Sequence, residues 1–206
     1  MTKARLALLV AVVLPARADR QEHRLSIAAG ASLSAMQAGG VSTSAPSGGA
    51  RVRYAYGLAN SVELAGSVGL TVANNIEFPH AVVDGEQGNL FVDIYAPELA
   101  LGVRFIPGVA LSRWFTKIRP LLGTKLGARV DWRRNADLLD DAPGNDNKRL
   151  SRPDDVLYLQ TFAGLEVGVE VRLSPALVVG IVTTADVSTA ETTTVGVQLE
   201  LGHHFY

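Results

Sequence analysis

The stretch Thr192 to Tyr206, T-T-T-V-G-V-Q-L-E-L-G-H-H-F-Y, decides the fold. Val195, Val197, Leu199, Leu201, His203 and Phe205 fall on one parity. Gly196, Gln198, Glu200, Gly202, His204 and Tyr206 fall on the other. A strand sends alternate side chains to opposite faces, so one face here is apolar and the other polar. Such a strand suits the edge of a soluble β-protein core or the wall of a membrane barrel, and the rest of the chain has to separate the two.

Seven further segments carry the same period of two. They are Arg24 to Met36, Gly49 to Leu58, Val62 to about Val72, Leu90 to Phe105, Ile118 to Arg133, Val156 to Leu173 and Ala176 to Val187. The clearest is Ile118 to Arg133. There Ile118, Pro120, Leu122, Thr124, Leu126, Ala128, Val130 and Trp132 oppose Arg119, Leu121, Gly123, Lys125, Gly127, Arg129, Asp131 and Arg133. In Leu90 to Phe105 the apolar residues move from even positions (Leu90, Val92, Ile94) to odd ones (Tyr95, Leu99, Leu101, Val103, Phe105), which suggests a β-bulge beside Pro97. Between the segments, Gln37 to Gly48, Ala73 to Asn89 and Arg134 to Asp155 read as long loops. Tight turns are expected at Ala59-Asn60-Ser61 and Ser174-Pro175. Ile106 to Lys117 reads as a turn with a short amphipathic helix. Eight antiparallel strands put both termini on one side, with the short turns beside them and the long connections opposite.

Cysteine is absent, so disulfides, thiolate metal sites and thiol nucleophiles are excluded. With 19 basic and 20 acidic residues, the chain has no polyanion-binding excess and no nucleic-acid partner is expected. Residues 1–18 read as a signal peptide. Lys3 and Arg5 precede the apolar run Leu6 to Leu14, and Ala16-Arg17-Ala18 fits the small-x-small cleavage pattern. That run is shorter than the ~20 residues a spanning helix needs. The expected domain is then 19–206, starting near Asp19. Without Lys3, Arg5 and Arg17 it holds 16 basic and 20 acidic residues, a net charge of −4.

The polar parity decides which face is outside. A lipocalin-type barrel would turn its apolar face inward, whereas a membrane barrel turns it to lipid and keeps the polar face in the lumen. Along the strands the polar parity carries Arg51, Arg53, Glu63, Glu98, Arg104, Arg119, Lys125, Arg129, Asp131, Arg133, Glu166, Glu170, Arg172 and Glu200, interleaved with many glycines. Glycine weakens a strand, and a solvated surface has no need of it. A narrow lumen does, because large charged side chains need small neighbours. The expectation is an all-β, eight-stranded, antiparallel up-and-down transmembrane barrel. Its interior charges form a paired network, since an eight-stranded lumen is just wide enough for side chains to fill it. Asp186, whose phase is weak, would bring the acidic side to seven. Tyr56, Phe105, Trp114 and Phe205 are expected at the membrane interface on the turn side, with Tyr95 and Trp132 on the loop side.

Over nearly all of residues 19–206 this pattern resembles the small eight-stranded bacterial outer-membrane barrels of the OmpA/OmpX kind. The ending Leu199, Leu201, Phe205, Tyr206 is similar to the C-terminal strand that the assembly machinery of such barrels reads, with Phe205 rather than Tyr206 in phase with the apolar face. The resemblance implies an outer-membrane location with periplasmic termini, contact with lipid and lipopolysaccharide, and no cofactor. It implies a structural anchor whose outer loops serve interaction, adhesion or envelope integrity. A narrow solute channel is the alternative, and a lipid A-modifying enzyme is a third. That enzyme would need a His with a Ser and an acid near the outer leaflet. His80 is on that side without a Ser close in sequence, while His203 and His204 lie at the opposite end. Asp140-Asp141 and Asn145-Asp146-Asn147 match no calcium-loop spacing, so no metal site is expected.

Overall fold

The computed structural model describes residues 22–59, 61–106, 118–142, 148–190 and 192–205. The signal peptide at 1–18, the short helix between Ile106 and Lys117, and the aromatics Trp114 and Tyr206 fall outside the described residues, apart from Ile106 itself.

The strands are His23–Ala38 (β1), Val41–Ala59 (β2), Val62–Val83 (β3), Glu86–Phe105 (β4), Ile118–Leu139 (β5), Arg149–Ser151 (β6), Val156–Arg172 (β7), Leu177–Ser188 (β8) and Thr193–Phe205 (β9). Every pairing is antiparallel. The ring runs β1-β2-β3-β4-β5-β7-β8-β9 and closes where β9 pairs with β1, from His23↔Phe205 to Ala35↔Thr193. The three-residue β6 only borders β5 at the end away from the termini, the outer end of the sequence expectation, so the barrel has eight staves. A closed ring leaves no edge in lipid, which the apolar bilayer requires of any sheet that crosses it.

The apolar parity faces outward. Leu126 and Leu199 are 68% and 62% exposed, while Glu166 and Glu200 on the other parity are 3% and 7% exposed. The lumen is narrow enough that glycine is obligatory at some inward positions. A Cβ on Gly127 would sit 2.6 Å from the Phe162 ring, and one on Gly164 would sit 2.8 Å from the Lys125 stem.

The outer end departs from the sequence expectation. Gln37 to Gly48 and Ala73 to Asn89 are not long loops; they continue the strands into two tight hairpins. Gly39-Gly40 have φ of 55° and 77°, and Asp84-Gly85 have 52° and 86°. Positive φ at both central residues makes the two-residue turn whose twist suits adjoining strands. The first six residues of Arg134 to Asp155 likewise extend β5, to Leu139.

Nor does a bulge sit beside Pro97. The β3–β4 register is continuous through Leu70↔Pro97, and the ladder to β5 passes over Ala96 and Pro97 between Tyr95↔Trp132 and Glu98↔Arg129 without shifting. The ladder is interrupted there, where proline has no N–H to donate, but its register is kept. Leu90, Val92 and Ile94 stay on the inward parity with Glu98 and Arg104. What changes along β4 is the chemistry of the interior. Above the charged lumen lies an apolar cluster of Met36, Ile76, Phe78, Leu90, Ile94 and Leu138 with smaller neighbours. The irregular registers lie higher, between Ala73/Ile76, Phe78/Ala81 and Phe91/Asp93.

Candidate functional site: the plugged lumen and the outer end

The strand period brings the inward charges together. Arg24, Arg51, Arg53, Arg104 and Arg119 interlock with Glu63, Glu98, Glu166, Glu170 and Glu200 in one contiguous network. Arg53 bridges Glu166 at 2.6 Å and Glu200 at 2.7 Å. Arg104 donates its Nε to Glu166 at 2.8 Å and both terminal nitrogens to Glu200 at 2.9–3.0 Å. Arg51 reaches Glu98 at 2.9 Å, and Arg119 reaches Glu170. Arg24 joins three elements through Glu63 and Glu170, each at 2.7 Å, and Glu200 at 3.7 Å. Above this network Lys125 pairs with Asp186 at 2.8 Å, and Arg129 with Asp131 at 3.4 Å. Gln160 links Arg129 to Asp131, and Phe162 lies against both Lys125 and Arg129. Together these are seven cations and seven anions, so the filled lumen is neutral.

Two expected members lie elsewhere. Arg133 is at the outer mouth, donating to the Gln37 carbonyl at 2.9 Å and stacking over Tyr158. Arg172 is at the other mouth, donating to the Pro175 carbonyl at 2.8 Å and lying 3.9 Å from Glu22. Neither joins the lumen network: among the described residues Arg133 makes no ion pair, and Arg172 has only Glu22 at the mouth. Arg24 was absent from the expected network although its parity, two residues before Ser26, marked it as inward.

Between the charges and the apolar cluster remains a cavity of about 50 Å³, bordered by Ser32, Ser47, Thr71, Thr184, Thr194 and Gln198 among others. At ~10–15 Å³ of such volume per water, it has room for a few waters and no solute.

The aromatics form two belts. His23 packs among Tyr54, Tyr56 and Phe205 at the β1–β9 seam, stacked on Phe205 at 5.5 Å. Phe105 ends β4 at the same side. Tyr95 and Trp132 are register partners on the other side, 6.3 Å apart. Tyr54 and His23 are members that the sequence reading did not place there.

Outside the Tyr95–Trp132 level, polar side chains secure the bulges. Asp93 accepts the Asn75 backbone N–H at 2.8 Å and the Asn135 amide at 2.9 Å, and both asparagines have positive φ. These bonds, the Asn135 one first and the Asn75 one second, hold the Asp93 carboxyl below the usual range. A carboxylate depressed in the folded state stabilises it fully above the unfolded pKa, and that stability is lost as pH falls through the folded value. Protection of the Asn75 backbone N–H and the Asn135 side-chain amide from hydrogen exchange, taken relative to the intrinsic rate, is therefore expected to be flat above the ordinary carboxylate pKa of ~4 and to fall below it. Asp93→Ala should remove that acid step, by a small amount because the group is open to screening.

His80 bonds Asp141 through Nδ1 at 2.6 Å, and its backbone N–H donates to Asn89. Among the described residues no hydroxyl bonds this His. Nor, among them, do His, Asp and Glu cluster so as to hold a metal.

No family model and no curated protein matches the chain. Solved structures do. Ail, the attachment invasion locus protein of Yersinia pestis, aligns over 91% of this chain and 100% of its own, with 16% identity and a TM-score of 0.50. Neisserial surface protein A aligns over 89% and 97%, with 16% identity and a TM-score of 0.50. The N-terminal barrel of Pseudomonas aeruginosa OprF aligns over 87% and 97%, with 16% identity and a TM-score of 0.43. With its eight-stave closure, outward apolar belt and filled polar lumen, the chain has the fold of the small outer-membrane β-barrels of the OmpA/OmpX kind.

Proposed function

We propose that this barrel is a closed anchor in the bacterial outer membrane, and that its function resides in the sheet extensions standing outside the apolar belt. The observation that carries this is the lumen. It is filled by seven cations and seven anions that neutralise one another, and an apolar cluster seals it outside. A selective pore is built instead on a ring of one charge sign or on aligned carbonyls. The extensions, unlike mobile loops, are ordered hairpins of β1–β2 and β3–β4 with a paired rim, so they present a fixed surface for interaction or adhesion. An acyl-modifying activity gains no support at His80, whose ring is held by Asp141 rather than by a serine.

In this reading the signal peptide is removed near Asp19 and the termini lie in the periplasm. Lipid and lipopolysaccharide surround the belt, and the barrel assembly machinery reads the C-terminal sequence with Leu199, Leu201, Phe205 and Tyr206. N-terminal sequencing of the outer-membrane product should begin within a few residues of Asp19.

The closed-anchor reading is tested by planar-bilayer recording. The wild-type chain is expected to give no more than brief, small openings, and Glu166→Ala to raise them. A large, stable, ion-selective conductance from the wild type would establish a channel instead.

A further inference from the structure

The wall is incomplete above the belt. β2 keeps its partner β1 out to Val41↔Ala38, but its ladder to β3 stops at Gly48↔Val72. Val72 pairs with Tyr95, and Tyr95 with Trp132, so this break opens immediately outside the aromatic girdle. Between the diverging strands lies a cleft of about 470 Å³, within the roughly 300–1,000 Å³ of small-ligand sites.

We propose that this cleft binds an uncharged saccharide. The proposal deepens the anchor reading and rests on it, since it gives the outer extensions a ligand.

The chemistry of the cleft selects that class. Its floor includes Ala45 and Ile76, both buried in the apolar cluster, and such a floor suits the C–H face of a sugar ring. Around it stand Thr43, Ser44, Asn74, Asn75 and Glu77, which supply hydroxyl, amide and carboxylate groups to sugar hydroxyls. A few polar groups placed around an apolar floor fix a ligand's orientation. Among the described residues these five side chains bond no other side chain. The neighbouring polar groups of the outer end are already engaged, in His80–Asp141, Arg134–Asp155 and Arg149–Asp137.

Other occupants fit worse. No Lys or Arg lines the cleft, and Glu77 would repel a sulfated or phosphorylated ligand. The wider outer end is acidic too. Beyond the Tyr95–Trp132 level the described residues include Glu77, Asp84, Glu86, Asp93, Asp137, Asp140, Asp141, Asp154 and Asp155 against Arg133, Arg134, Lys148, Arg149 and Arg152, nine acids to five bases. An added peptide strand meets Pro46 on one free edge and Pro79 on the other. It also meets positive-φ irregularities at Asn75 and His80, devices that block strand addition. An acyl chain would lie against a mostly polar rim above the lipid belt.

The test uses the full chain in detergent, probed by saturation-transfer NMR with maltotriose, N-acetylated chitotriose and a neutral lactose-terminated tetrasaccharide, with heparin as the charged control. At least one uncharged sugar is expected to bind. Ser44→Trp, which fills the cleft, should weaken it at least tenfold, Asn74→Ala should weaken it less, and heparin should show no cleft-dependent signal. Heat-modifiable mobility checks that each variant is folded, and Asn74→Ala carries the test if Ser44→Trp does not fold. Repeating the titration in vesicles with and without lipopolysaccharide separates the sources: competition assigns the cleft to sugars of the same leaflet, and its absence to external glycans. Absence of binding by all three sugars overturns the proposal. So does binding indifferent to both variants, or heparin binding that Ser44→Trp abolishes. A cleft that binds no sugar in a non-conducting barrel leaves the anchor reading standing, whereas a large wild-type conductance removes that reading whatever the cleft binds.

Discussion

Leu126→Arg and Leu199→Arg each lose about 2–4 kcal/mol of folding free energy in bilayers, or fail to insert, because both side chains face lipid near the middle of the apolar belt. Leu126 is centred in the run Ile118 to Trp132, beside Leu101 on β4 and Ala163 on β7. Leu199 lies between Ala29 on β1 and Ile181 on β8. An arginine at either place has no inward route, since the strand period points it away from the lumen. Thr71→Arg and Gln198→Arg, one face over, border the small hydroxyl-lined cavity and can reach its carboxylates. They should cost less, up to the point where a long side chain overfills so small a space. Urea titration in lipid vesicles, read by heat-modifiable gel mobility, measures all four. Equal tolerance on both faces would mean that inside and outside have been exchanged.

Glu200→Ala is expected to cost about 3–5 kcal/mol, the penalty of leaving buried charge without its partner. Glu200 accepts Ser26 at 2.8 Å, Arg53 at 2.7 Å and both terminal nitrogens of Arg104, with Arg24 at 3.7 Å. Its removal takes one carboxylate from each of three buried guanidinium groups, leaving Arg53 and Arg104 to share Glu166 and Arg24 with Glu63 and Glu170, in a lumen where they cannot turn to water. Glu200→Gln keeps an acceptor for Ser26 and one arginine, so its cost should be smaller. Adding Arg104→Met to Glu200→Ala should recover part of the loss, because removing both members of a buried pair is far cheaper than removing one. A double-mutant cycle in the same urea assay reads the coupling. Independent, additive losses would show that the network does not act as a unit.

How much of this was legible in the sequence differs between the two ends of the barrel. In the membrane, the period of two and the sign of each face are written residue by residue. The bilayer admits no charge outside and no unpaired backbone, so eight staves with Arg and Glu inside follow from the chain alone. The outer hairpins were legible in part. Asp84-Gly85 and Gly39-Gly40 are two-residue hairpin signals, but the serines and glycines of Gln37 to Gly48 obscured the strand between them. The apparent phase switch near Pro97 misled for a physical reason. Period two reports parity, while polarity reports surroundings, and on β4 the surroundings change from charged lumen to apolar cap with the parity unbroken. Tertiary structure alone decided the partners: which glutamate each arginine meets, that Arg24 is the cation joining Glu63, Glu170 and Glu200, and that β2 and β3 part at Gly48↔Val72 to leave a cleft. Those depend on the stagger of strands around the closed ring. Stagger is a property of the barrel as a whole, and no single strand encodes it.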